Sequence, residues 1–163
     1  MISQALQDAI NDQIQAEIYS SYLYLSMSAY SDSANLKGFA KWMRAQASEE
    51  TGHAMRFYTY LSDRGGRVLL QAIQQPPAEF QSALDLFQLT LEHERKVTAR
   101  IEKLHQLAQR EVDPTTQTFL QWFLTEQVEE EATASDVVET LKKIGASGSG
   151  LVMLDRQLGK RGE

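Results

Sequence analysis

The chain has 163 residues, 42% apolar and 23% charged, which suits one domain with a sizeable core. It has no cysteine, so disulfides, thiolate metal sites and cysteine nucleophiles are excluded, and any metal must take oxygen and nitrogen ligands. A net charge of -6 argues against nucleic acid and favours cations, and no run of about eighteen apolar residues exists to span a membrane. The start, Met1-Ile2-Ser3-Gln4-Ala5, lacks a basic region followed by an apolar core. No signal peptide is therefore expected, and the cytoplasm is the expected compartment.

Only three prolines and nine glycines interrupt the chain, so long helices are permitted. The first is expected from about Ile2 to Tyr30, where Leu6, Ile10, Gln13, Glu17, Ser20, Tyr24 and Met27 follow a three-four spacing. A second stripe, Ile14, Ile18, Tyr22 and Leu25, implies burial on a second side by a partner subunit. Glu17 interrupts the first stripe; the alternative is a carboxylate that reaches solvent past Ser20 and Ser21. A turn at Ser31-Asp32-Ser33-Ala34-Asn35 precedes a second helix, from about Asn35 to Ser62. Its apolar face runs Phe39, Trp42 or Met43, Ala47, then Glu50 and His53, then Phe57 and Leu61. Glu50 and His53 stand one turn apart, so both side chains leave one face as two legs of a metal site. Alone that pair is a weak signal, because glutamate and histidine often share a solvated helix face.

Gly65 and Gly66 end the second helix, and an extended segment with Pro76-Pro77 runs from Val68 to Phe80. About fifteen extended residues reach roughly 50 Å. A helix of about 28 residues is roughly 42 Å long. The segment can therefore cross the whole bundle and start the third helix from the same end as the second. That helix is expected from about Ser82 to Arg110, with Leu84, Phe87, Leu91, Glu94, Val97 or Thr98, Ile101, Leu104 and Ala108 inward. His93 lies about 100° round the helix and reads as a surface or interface residue. Asp113-Pro114 opens a fourth helix to about Ile144, lined by Phe119, Trp122 or Phe123, Gln127, Glu130, Ala134, Val137 and Leu141. Glu126, Gln127, Glu129, Glu130 and Glu131 cover its full circumference, so some of them must point inward. Glu111 and Asp113 are acidic enough to line a route for cations. After the glycine-serine run Gly145 to Gly150 comes a short helix, about 149–160, expected to pack into an oligomer contact, and then a polar tail.

Glu17, Glu50 with His53, Glu94, and Gln127 with Glu130 each lie near the midpoint of their helix. Helices of similar length packed side by side share a mid-level, so these groups should meet at one height in the core. Carboxylates gathered there without a cation would repel one another, and bound metal resolves the conflict. One histidine among carboxylates suits iron redox chemistry better than closed structural zinc.

At this point the sequence resembles a ferritin of the bacterial and archaeal non-haem type over nearly its whole length, in Glu17, Tyr24, Glu49-Glu50-x-x-His53, Glu94 and Glu126-Gln127-x-x-Glu130. The resemblance implies an all-α fold, residues 1–163 as one domain: a four-helix bundle over 2–144 with a long crossover between helices 2 and 3, and a short fifth helix. Di-iron carboxylate bundles carry Glu-x-x-His on two helices. The second copy, Gln127-Val128-Glu129-Glu130, has no histidine, which points away from a symmetric bacterioferritin centre. No haem is expected, because Gly52 stands where bacterioferritins would ask for methionine. By resemblance, Glu17, Glu50 and His53 bind a first iron and Glu50, Glu94 and Glu130 a second, with Gln127 a neighbouring hydrogen-bonding group. Glu49, Glu126 and Glu129, with Glu130, form a third, weaker iron site, and Tyr24 hydrogen-bonds beside the centre. The implied activity is oxidation of Fe(II) to Fe(III) by dioxygen or hydrogen peroxide and storage of ferric mineral in a cage of twenty-four subunits. The alternative is a non-storage oxidase or peroxidase in which the iron pair is a fixed cofactor.

Overall fold

The computed structural model describes residues 1–162, and the last residue of the expected tail, 163, lies outside them. Among the described residues there are five helices and no strand: α1 (Gln4–Ser33), α2 (Lys37–Asp63), α3 (Ala83–Arg110), α4 (Pro114–Ile144) and α5 (Gly148–Leu158). Local chemistry sets most of their starts. Ser3, Ser82, Asp113 and Ser147 each accept a hydrogen bond from a first-turn amide, and Pro114 follows Asp113 at a position with no amide to lose. α2 lacks such a cap of its own, since Leu36 precedes it. Asp155 of α5 supplies one instead, its Oδ1 accepting from the Phe39 amide at 3.0 Å.

Several boundaries differ from expectation by one to three residues, and α1 and α2 each start two residues later, at Gln4 and Lys37. α1 continues to Ser33, and the turn falls on Asn35, whose φ of 58° an asparagine tolerates better than most residues. α5 begins within the glycine-serine run because the Ser147 hydroxyl caps the Gly150 amide at 3.2 Å, and it ends at Leu158.

α1 packs on α2, α3 on α4, α1 also touches α3, and α5 lies against α2. The start of α1 shares one apolar cluster with the ends of α2 and α3 and the start of α4, through Leu6, Ile10, Phe57, Leu61, Ile101, Leu104 and Leu120. The opposite ends share a second cluster with α5, through Tyr24, Met27, Phe39, Met43, Phe87, Val137, Leu141 and Leu154. α1 and α4 therefore run one way and α2 and α3 the other, which requires the crossover of residues 64–82 to span the bundle. It does so along α1, tied by Arg67 N to Gln7 Oε1 (2.9 Å), Asn11 Nδ2 to Arg67 O (3.0 Å), Leu69 N to Asn11 Oδ1 (2.8 Å) and Gln15 Nε2 to Ala72 O (3.2 Å).

Small hydroxyls bring α1 close to α2. Ser21 Oγ donates to Ala47 O at 2.7 Å and Ser28 Oγ to Ala40 O at 2.9 Å. On the second stripe of α1, Ile14 is buried, whereas Tyr22 and Leu25 are half exposed, leaving apolar surface beside the crossover. No helix of the described residues is long and apolar enough to cross a membrane.

Candidate metal centre

A polar layer separates the two apolar clusters. Glu17, Glu50, His53, Glu94, Gln127 and Glu130 are all buried in it, as are Gln13 and Gln46. Each stands on an inward helix face that becomes apolar beyond the layer, as with Met43, Phe57 and Leu61 on either side of Glu50 and His53, so packing above and below draws the polar groups inside. The solvated alternative for Glu17 is overturned. It is 1% exposed, and the serines that would have opened a path are used otherwise, Ser21 on Ala47 and Ser20 on His93.

Glu17, Glu50 and His53 each offer a ligand atom within 4.8 Å of the others, and so do His53, Glu126 and Glu130. His53 Nδ1 lies 3.1 Å from Glu50 Oε2. Gln13 Nε2 donates to Glu17 Oε1 at 2.8 Å, and Gln46 Nε2 donates to Glu130 Oε2 at 2.8 Å and to Glu50 Oε1 at 3.4 Å. Glu94 joins neither triad at that distance. Tyr24 Oη donates to its Oε1, and Gln127 Nε2 donates to its Oε2 at 3.2 Å. Each oxygen keeps a second lone pair for a cation.

The electrostatics are those of a site short of positive charge. Burial, then the field of Glu50, pushes the Glu17 carboxyl well above the usual range, and burial with Glu94 does the same to Glu50. Glu94 is raised by burial even though Tyr24 and Gln127 bond to it, and Glu130 is pushed up to about 7 by burial and then by Glu94. Glu17 Oε2 and Gln46 Oε1 are buried with no hydrogen-bond partner among the described residues. An orphaned carboxylate oxygen in a core is costly unless a cation or water meets it. The donor set, oxygen-rich with one imidazole and no thiolate, fits iron.

The outer residues are placed differently. Glu126 is half-buried and reaches the second triad, whereas Glu49 and Glu129 are exposed on the outer side of the layer. Glu49 pairs with Arg161 at 2.9 Å. His93 stands outside both ligand groups, as expected, but it is not a free surface group either. Its Nε2 lies 2.8 Å from Ser20 Oγ, its ring stands edge-on to Tyr24, and burial then Lys96 lower it to about 4. Asp113 caps α4 and pairs with Arg64 at 2.8 Å, while Glu111 beside it is exposed. The apolar stripes alone assign no role to Gln46 or Gln13. Both stand four residues before a ligand candidate on the same face, a polar-before-carboxylate spacing that marks an orienting amide.

Fold and site together define a four-helix bundle whose core carries a carboxylate layer able to hold cations. A family model described as Ferritin-like domain matches residues 7–144. The bacterial non-heme ferritin of Bacteroides fragilis is 45% identical over 161 residues, spanning 99% of this chain and 100% of that one. The protein of the same description from Staphylococcus aureus is 37% identical over 161 residues, 99% and 97% of the two chains. The open pore ferritin of the hyperthermophilic archaeon Archaeoglobus fulgidus superposes with a TM-score of 0.98 at 51% identity, covering 99% of both chains. The chain belongs to the ferritin-like family.

Proposed function

We propose that this protein stores iron, oxidising Fe(II) at the buried layer and holding the ferric product inside a cytoplasmic cage of its own copies. The observation that carries the reading is the orphaned Glu17 Oε2, buried beside Glu50 and His53 with no hydrogen-bond donor among the described residues to meet it. Glu17, Glu50 and His53 hold one Fe(II), and Glu50, Glu94 and Glu130 hold a second. Gln13, Gln46 and Gln127 orient these carboxylates by the hydrogen bonds above, and Tyr24 fixes Glu94. Protons kept on the raised carboxyls leave as Fe(II) binds. Each Fe(II) gives up one electron; dioxygen takes two electrons and two protons to become hydrogen peroxide, or peroxide takes them to become water. Ligation by carboxylates with one imidazole is weak enough for Fe(III) to leave past Glu126, Glu129, Glu130 and Glu49.

The family resemblance supports a cage of twenty-four subunits, and the uncovered Tyr22 and Leu25 offer apolar surface for a neighbouring copy. With subunits of 18.4 kDa the assembly would weigh about 440 kDa in solution. Aerobic Fe(II) oxidation, followed by sedimentation of the iron with the protein, tests the reading. Wild type should oxidise and retain iron, and Glu50→Ala should do neither above the buffer rate. Equal oxidation by the variant would overturn the site assignment, and oxidation without retained iron would overturn storage in favour of a fixed iron pair.

A further inference from the structure

The C-terminal tail returns to the candidate centre. Asp155 of α5 caps the start of α2, and α5 sits so close that a Cβ on Gly38 would fall 1.6 Å from the Asp155 carbonyl oxygen. After Leu158 the chain turns, Arg161 N donating to Leu158 O at 3.2 Å, and the Arg161 side chain lies along α2. Its Nη1 donates to Trp42 O at 3.3 Å, its Cζ stands 4.4 Å from the Trp42 ring centroid, and its Nη2 meets Glu49 Oε2 at 2.9 Å. Trp42 and Glu49 are seven residues apart, two turns on one helix face, so the guanidinium stacks on the first while it pairs with the second. The Arg161 side chain keeps only 23% of its exposure and Glu49 keeps 47%. The pair is a seated contact and not two side chains meeting in open water.

We propose that Arg161 is a tethered cation that occupies Glu49 in the metal-free protein and yields it to outgoing ferric iron, so that the tail sets how strongly the outer carboxylates hold a cation. This rests on the reading of Glu49 as an iron ligand. A guanidinium stays charged at every working pH, so the competition is permanent. It is also weak, because a partly exposed pair holds by little, and its removal alters an affinity by about two- to fivefold. Displacing the guanidinium costs the same whichever ion enters, so the latch weakens every incoming cation by one factor, while the stronger Coulomb attraction of a trivalent ion to Glu49 leaves it the better able to bear that cost. The latch therefore keeps Glu49 from weakly bound cations and yields it to Fe(III), the ion that must leave the buried centre. Glu49 acts on the buried layer as well, because its charge adds to the field on Glu130.

The test is calorimetric titration of the assembled protein with terbium(III), a redox-inert trivalent ion that takes oxygen ligands, and with calcium as the divalent comparison. Arg161→Ala should tighten the weak class of terbium sites about two- to fivefold, tighten calcium by the same factor, and leave the tight class unchanged. In a Glu49→Ala background Arg161→Ala should change nothing. Unchanged weak-class affinity in Arg161→Ala overturns the proposal. So does an equal shift in Lys160→Ala, which removes a neighbouring charge without touching Glu49. A full weak class in Glu49→Ala with Arg161 intact removes the reading of Glu49 as a ligand, and the latch with it.

Discussion

Replacing Glu130 by glutamine should make the metal-free protein more stable while it abolishes iron oxidation. Glu130 is 7% exposed, and its carboxyl is pushed from an ordinary value of 4.5 up to about 7 by burial and by Glu94. A folded-state pKa above the unfolded one means that the folded protein binds the extra proton, so stability is lost as pH rises from about 4.5 through 7. Each pH step of one between those values costs about 1.36 kcal/mol, so about 3 kcal/mol is gone once pH exceeds 7. Glutamine has the same shape, keeps an oxygen to accept from Gln46, and carries no charge to repel Glu94. In calorimetry at equal protomer concentration and pH 7.5, the metal-free variant should melt roughly 6–12 °C higher than wild type, with the gap closing toward pH 4.5. Added metal should reverse the order, because only wild type gains binding energy. A gap that does not vary with pH, or a metal-free variant less stable than wild type at pH 7.5, would refute the claim that the layer is strained by its own charge.

The same strain governs proton release. Zinc bound at pH 6 should displace more than one proton per subunit, since Glu17, Glu50, Glu94 and Glu130 are all raised; titration calorimetry in buffers of different ionisation heat counts them. Gly38→Ala should undock α5, because its Cβ would meet the Asp155 backbone, and amide exchange in residues 148–158 should quicken while α3 stays protected. Asn11→Ala removes both of its bonds to the crossover and should destabilise the protein by about 1–3 kcal/mol, with faster exchange at Leu69 as the local mark.

What was legible in the sequence was whatever helical period controls. The inward stripes through Phe39, Phe87 and Ile101, and the four carboxylates that break such stripes, read out directly, because a helix fixes which residues share a face. The crossover was legible from length alone. The contacts that cross between distant segments were not. Nothing in the run around Asn11 marks it as the peg for Arg67 and Leu69, and α2 shows no cap because its cap comes from Asp155, more than a hundred residues on. Periodicity placed Glu94 at the right level but could not show that Tyr24 and Gln127 already hold its two oxygens. For His93 the angle on α3 kept it out of the ligand groups, but periodicity could not show that the small Ser20 opposite lets the half-buried ring stand against Tyr24.

Anomalous diffraction at the iron edge from crystals soaked anaerobically in Fe(II) tests the central claim most directly. The expected result is two iron peaks in the buried layer, one among Glu17, Glu50 and His53, the other reached by Glu50, Glu94 and Glu130. A layer without iron, with peaks only on exposed carboxylates, would contradict it.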